Sequence, residues 1–103
     1  MNKELNDYMD YIRTNYEKWS GQAPTEVRIR MIEEFKASVR FVEGSKYIKV
    51  VTGSSVHSFI VKKDGQFLKG DILKAATWSA PARNFIRGNV LRKEYGTIAW
   101  TGA

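Results

Sequence analysis

His57 is the single histidine of the chain, and Ser54, Ser55 and Ser58 lie within three residues of it. A base beside hydroxyls could serve nucleophilic catalysis, provided that the imidazole reaches the hydroxyl and a further group orients it. No serine here stands in a G-x-S-x-G elbow, and the local string TGSSVHSF reads as a strand rather than a strand-to-helix turn. His57 is therefore expected to be structural. Metal chemistry has less support. Glu33 and Glu34 are helix neighbours that point apart, and one histidine without any cysteine cannot assemble the common transition-metal ligand sets. Neither G-x-G-x-x-G nor GxxxxGK[ST] occurs, so no dinucleotide or P-loop cofactor is expected. No catalytic, cofactor-binding or metal-binding residue is assigned, and the expectation is a protein that is not an enzyme.

Binding chemistry is better represented. Residues 1–45 carry seven Lys/Arg against eight Asp/Glu, whereas residues 46–103 carry ten against three, so the whole formal charge of +6 arises in the second part. Such asymmetry suits a polyanionic partner. Lys46, Lys49, Lys62, Lys63, Lys69, Lys74, Arg83 and Arg87 are the candidates for phosphate contacts. Trp78 is a candidate to stack on unpaired bases, and Tyr47, Phe67 and Tyr95 are further rings in the same part of the chain. On this reading the expected partner is DNA or RNA, bound without sequence specificity, since no RRM signature, KH loop or C₂H₂ finger is present. The alternative is that the charge only keeps copies apart in solution.

The elements that must position these residues follow from periodicity. Leu5, Tyr8, Met9, Ile12, Tyr16 and Trp19 share one stripe of a helix over about Lys3 to Trp19, with Asn2 as its cap and Ser20-Gly21 as its stop. Ala23-Pro24-Thr25 punctuates the chain before a second helix from Glu26 to about Ser38. Val27, Met31 and Phe35 are expected to face the core, with Ile32 widening that stripe. From Val39 onward β-branched and aromatic residues alternate with glycine turns. Strands are expected at Val39–Val42, Tyr47–Thr52, Val56–Lys62, Gln66–Leu68, Ile72–Ala76 and Thr97–Trp100, with Asp64-Gly65 as a tight hairpin turn. Pro81–Arg87 is expected to form a short helix capped by Ser79 or Thr77. Met9, Ile12, Met31, Phe35, Ile48, Val50, Phe59, Val61, Ile72 and Trp78 are the expected core.

The fold class is thus α+β. Two N-terminal helices pack on a small, strongly bent antiparallel sheet, SH3-like or an open barrel, with a short helix near 81–87. Residues 1–103 form one domain, of which 1–38 is a helical hairpin and 39–103 a β-rich basic part. With 103 residues the chain is long enough for a single core, and it has no cysteine with which to staple one. The first residues, MNKELNDYMDYIRTNY, lack the apolar stretch of a signal peptide, and no apolar run reaches the ~20 residues of a membrane span.

The segment Lys46–Val90 carries KYIKV, HSFIVK, GDILKAA, Trp78, APA, Asn84 and RGN in order. In these strings it resembles small uncharacterised proteins of tailed bacteriophages, especially phages of aquatic bacteria. The resemblance implies an accessory protein acting in the host cytoplasm or carried in the virion, and it brings no activity or cofactor. A second functional class stays open beside nucleic-acid binding: a protein-interaction module, either an inhibitor or adaptor of a host or phage enzyme or a minor virion component. In that reading Tyr11, off the core stripe of the first helix, is the exposed anchor.

Overall fold

The computed structural model describes residues 1–21 and 25–103. Two helices, α1 (Asn2–Trp19) and α2 (Glu26–Ser38), precede five strands, β1 (Arg40–Glu43), β2 (Tyr47–Thr52), β3 (Ser55–Val61), β4 (Asp71–Lys74) and β5 (Gly88–Asn89). The strands form one antiparallel sheet in the order β1-β2-β3-β4-β5. This is an α+β arrangement with an open sheet that does not close into a barrel.

Helix α1 keeps its expected stripe: Leu5, Tyr8, Met9, Ile12 and Tyr16 are buried, while Trp19 at its end is 65% exposed. The cap differs. Asn2 is already helical and Met1 precedes the helix without a side-chain cap bond, its carbonyl accepting from Leu5 N. At the other end the Ser20 and Gly21 amides return to Tyr16 and Lys18 carbonyls, and Gly21 takes φ +92°. The punctuation at Ala23-Pro24 lies outside the described residues, but Thr25 caps α2 as expected, its Oγ1 accepting from Arg28 N at 3.2 Å.

Helix α2 is turned relative to the expected stripe. Val27 and Met31 are 62% and 51% exposed, and no α2 residue is buried. The rotation is set by what α1 offers. Tyr16 stacks on Phe35 at 4.1 Å between centroids, Glu17 pairs with Lys36, and the Arg13 guanidinium donates to the carbonyls of Lys36 (2.9 Å) and Val39 (2.8 Å). A cation on the free carbonyls of a helix C-terminus satisfies acceptors that the helix itself leaves open.

One face of the sheet lies under α1. Ile48, Val50, Ile60 and Ile72 pack there with Leu5, Tyr8, Met9 and Ile12, joined by Val39, Val90 and Ile98. A β-bulge bends the β2–β3 pair. Val50 opposes Ser58 and Val51 opposes Val56, so His57 is the extra residue. Without that residue, strict alternation would send His57 and Ser58 to opposite faces. With it, both meet the hydroxyl of Tyr8 on the α1 side.

Three expected elements are absent for one reason, that the backbone groups concerned bond elsewhere. Gln66–Leu68 is not a strand, and Asp64-Gly65 does not make a hairpin. The Lys69 amide donates to Asp64 Oδ1 and the Leu68 amide to Asp71 Oδ2, both at 2.8 Å, which shapes residues 62–70 into a loop connecting β3 to β4. Pro81–Arg87 is not helical, because Ala82 N donates to Lys74 O and Arg87 N to Ile72 O, binding both ends to β4. Thr77 Oγ1 accepts from the Ser79 and Ala80 amides inside that excursion rather than capping a helix. Thr97–Trp100 forms turns with one isolated bridge, Ala99 to Gly102.

A buried polar knot holds the last strands. Asp71 and Asn89 oppose one another between β4 and β5, and Asn89 Nδ2 donates to Asp71 Oδ1 at 2.9 Å. Asn89 Oδ1 in turn accepts from Leu91 N and Arg92 N. Both neighbouring glycines are required by contact. A Cβ on Gly88 would lie 2.0 Å from Glu94 O, and one on Gly70, at φ +90°, would lie 2.9 Å from Asn89 Oδ1. The strings GD and GN of the sequence are the two sides of this knot.

Candidate functional site

The sheet face away from α1 is built from alternate strand residues. Val42, Lys49, Phe59 and Leu73 follow one another across β1, β2, β3 and β4, and Tyr47 opposes Val61 two pairs further along. Phe59, Val61 and Leu73 are buried there beneath Tyr47, Val56, Phe67 and Ala75. Among the described residues no helix covers this face. The loop of residues 62–70 and the excursion of residues 75–87 border it instead, contributing Phe67 from one and Ser79 and Arg83 from the other.

Tyr47 divides the uncovered part into two clefts, each of about 390 Å³. That lies near the lower end of the ~300–1,000 Å³ usual for small-ligand sites. Val42, Lys49, Phe59 and Ser79 line the first, and Val61, Lys63, Phe67 and Arg83 line the second, while Lys46 and Tyr47 belong to both. The Tyr47 ring meets Phe59 edge-on at 5.9 Å.

The cations are held against rings. Lys49 Nζ lies 4.4 Å from the centroid of the Trp78 ring, and the Arg83 guanidinium lies 5.9 Å from that of Phe67 while donating to Gln66 Oε1. Such contacts orient a cation without neutralising it. Among the described residues that line the two clefts, Asp64 is the one acid, and it already accepts from Lys69 N. Glu43 nearby is taken by Lys62 at 3.0 Å.

Of the candidates drawn from the sequence, Lys46, Lys49, Lys63 and Arg83 line these clefts, with Trp78 against Lys49. The others do not converge with them. Lys62 bridges Glu43 and the Gly44 carbonyl. Lys69 lies on the loop, beyond the residues lining either cleft. Lys74 borders a different depression with His57 and Thr101, and Arg87 lies over Phe85 beside Arg92 and Glu94. The reason is the strand period: Lys74 opposes Ser58, whose side chain is on the α1 side. Tyr95 also leaves the group, packing on Tyr8 and Tyr11 at 5.1 and 4.9 Å. Trp78, expected in the core, is 52% exposed.

His57 is 2% exposed. Its Nε2 lies 2.8 Å from the Ala99 carbonyl, an acceptor, so Nε2 carries the proton. The neutral ring then accepts at Nδ1 from Ser58 Oγ (3.0 Å), which accepts from Tyr8 (2.9 Å). Burial lowers the His57 pKa from its usual value, with the Ala99 carbonyl opposing, and burial pushes the Tyr8 hydroxyl up. Tyr11 is not a free anchor, since its hydroxyl donates to the carbonyls of Gly96 and Ile98. Among the described residues no cluster of three or more His, Asp or Glu could hold a metal ion, and no helix is long and apolar enough to cross a membrane.

No curated protein and no solved structure matches the chain. A family model does match, over residues 2–103, which is nearly the whole length and includes both clefts. The chain belongs to that family, a family of unknown function designated DUF7717.

Proposed function

We propose that the protein binds single-stranded nucleic acid, without reading its sequence, across the two clefts on either side of Tyr47. The observation that carries this reading is the grouping of Lys46, Lys49, Lys63 and Arg83 around Tyr47, with Phe67 and Trp78 beside two of the cations. Phosphates meet the cations, and unpaired bases meet the rings, a division of labour that tolerates any sequence. Trp78, 52% exposed with Lys49 over its ring, is the ring best placed to stack, since Tyr47 is half-buried and meets Phe59. The role is binding rather than catalysis: His57, the one candidate base, is buried with both nitrogens engaged. In keeping with the phage resemblance, the proposed setting is an accessory protein of a tailed phage acting in the host cytoplasm.

The experiment is fluorescence anisotropy of labelled oligonucleotides at low salt. The triple reversal Lys46→Glu, Lys63→Glu, Arg83→Glu is expected to weaken binding at least about tenfold. Its control is Lys3→Glu, Lys18→Glu, Lys74→Glu, which changes net charge equally away from the clefts. Equal losses in the two triples, or no binding by the parent protein, would overturn the assignment and favour a protein partner.

A further inference from the structure

Helix α2 presents a face that the rest of the described chain leaves uncovered. Its contacts with α1 run through Phe35 and Lys36, whereas Val27 and Met31 point outward, 62% and 51% exposed. Val27, Met31, Glu34 and Ser38 recur at spacings of four, three and four, the seam by which two helices meet. Val27 and Met31 are the apolar members of this seam and Glu34 and Ser38 its polar ones; such a face could receive many partners, and the charges select one. Arg30 lies on the N-terminal side of Met31, and Glu33 and Glu34 lie on its C-terminal side.

That arrangement is complementary to itself when reversed. If two copies of Glu26–Ser38 overlap fully and antiparallel, Glu26 stands opposite Ser38 and Arg30 opposite Glu34, and the pairs repeat by twofold symmetry. A parallel pair would instead set like charges together. We propose that the outer face of α2 is an isologous homodimer interface, its occupant the same face of a second copy, with Met31 near the centre and reciprocal Arg30–Glu34 pairs on either side. Thirteen residues give a helix of about 20 Å, so the contact is smaller than the ~1,200 Å² at which stable complexes begin. The dimer is accordingly weak, with a Kd on the order of 10–100 μM. It leaves the clefts around Tyr47 free, because none of their lining residues belongs to α2.

Sedimentation velocity from about 5 to 500 μM tests the proposal across that range of Kd. The parent protein is expected to pass from monomer to dimer, and Met31→Glu to remain monomeric with unchanged circular dichroism. Arg30→Glu alone should abolish the dimer, and Arg30→Glu with Glu34→Arg should restore it, because the exchange rebuilds both reciprocal pairs in opposite sense. A parent protein monomeric throughout would overturn the proposal and leave the face to a different protein. So would a dimer that survives Met31→Glu, or single and double charge variants that sediment alike.

Discussion

Asn89 Nδ2 donates to Asp71 Oδ1 at 2.9 Å, within a pair of residues that are 2% and 0% exposed, and that bond, with a second from Asn89 Nδ2 to the Lys69 carbonyl at 3.2 Å, joins the 62–70 loop to the turn after β5. Removing either partner leaves a buried polar group unsatisfied, which costs more than the bond itself contributes. Asn89→Ala is expected to lose about 2–3 kcal/mol in urea denaturation. Asn89→Asp should be worse at pH 7, where it sets two carboxylates together, and should close the gap to Asn89→Ala as the pH falls and one of them takes up a proton. Parallel pH profiles for the two variants would show that the pair does not meet as described.

His57 makes a separate contribution. Its folded pKa lies below the ordinary value, so the unfolded chain binds the proton more readily and stability falls with falling pH. The contribution is complete above about pH 6.5, the unfolded value, and is lost as the pH drops toward the lowered folded value. Urea melts of the parent and His57→Gln, taken from pH 8 to 5, should converge toward the acid end. Oligonucleotide affinity should be unchanged in His57→Gln, since the ring lines neither cleft.

Trp78 and Ile72 separate binding from stability. Ile72 is fully buried beneath α1, and Ile72→Ala is expected to cost about 2–5 kcal/mol. Trp78→Ala should cost no more than about 1 kcal/mol, most of it the contact with Lys49. Yet it should weaken single-strand binding by about 1–3 kcal/mol, the usual worth of a stacked base. A Trp78→Ala protein that melts far below the parent would return the indole to the core.

Arg13 fastens the C-terminal end of α2. With no buried residue of its own, this helix should show the fastest amide exchange of the two helices. Arg13→Ala removes the donors to Lys36 O and Val39 O and should accelerate exchange in α2 while leaving the protection of α1 and β2 near the parent's. Uniform loss of protection would mean that α2 unfolds only with the whole domain.

Salt dependence reports the number of phosphates engaged. Four cleft cations on a single strand predict a slope of log K against log salt of about −2.8, or −0.7 for each contact. Titration between low and physiological salt measures it. Binding to duplex in preference to single strands would contradict a role for Trp78, since a ring needs an unpaired base.

Local chemistry in the sequence settled a definite part of this structure. The stripe from Leu5 to Tyr16 makes α1 buried along one side, Thr25 starts α2, and the alternation in KYIKVVT makes β2 over the span expected for it. These properties belong to neighbours along the chain, where period and capping act directly. Pairing across the chain was not legible in the same way. That the amides of Ala82 and Arg87 turn to β4 rather than form a helical turn depends on where β4 lies, and that Asp64 and Asp71 tie a loop depends on which amides reach them.

The clefts divide along the same line. Charge counting located the basic residues but could not group them, because a strand residue's face follows from register. Tertiary structure places Lys49 outward beside Phe59, and Lys74 on the side of Ser58. The face of α2 shows the limit most plainly. Its spacing allowed Val27 and Met31 to point inward, but the stacking of Tyr16 on Phe35 and the hold of Arg13 turn them to solvent, and only a partner element can choose between two faces that are both partly apolar.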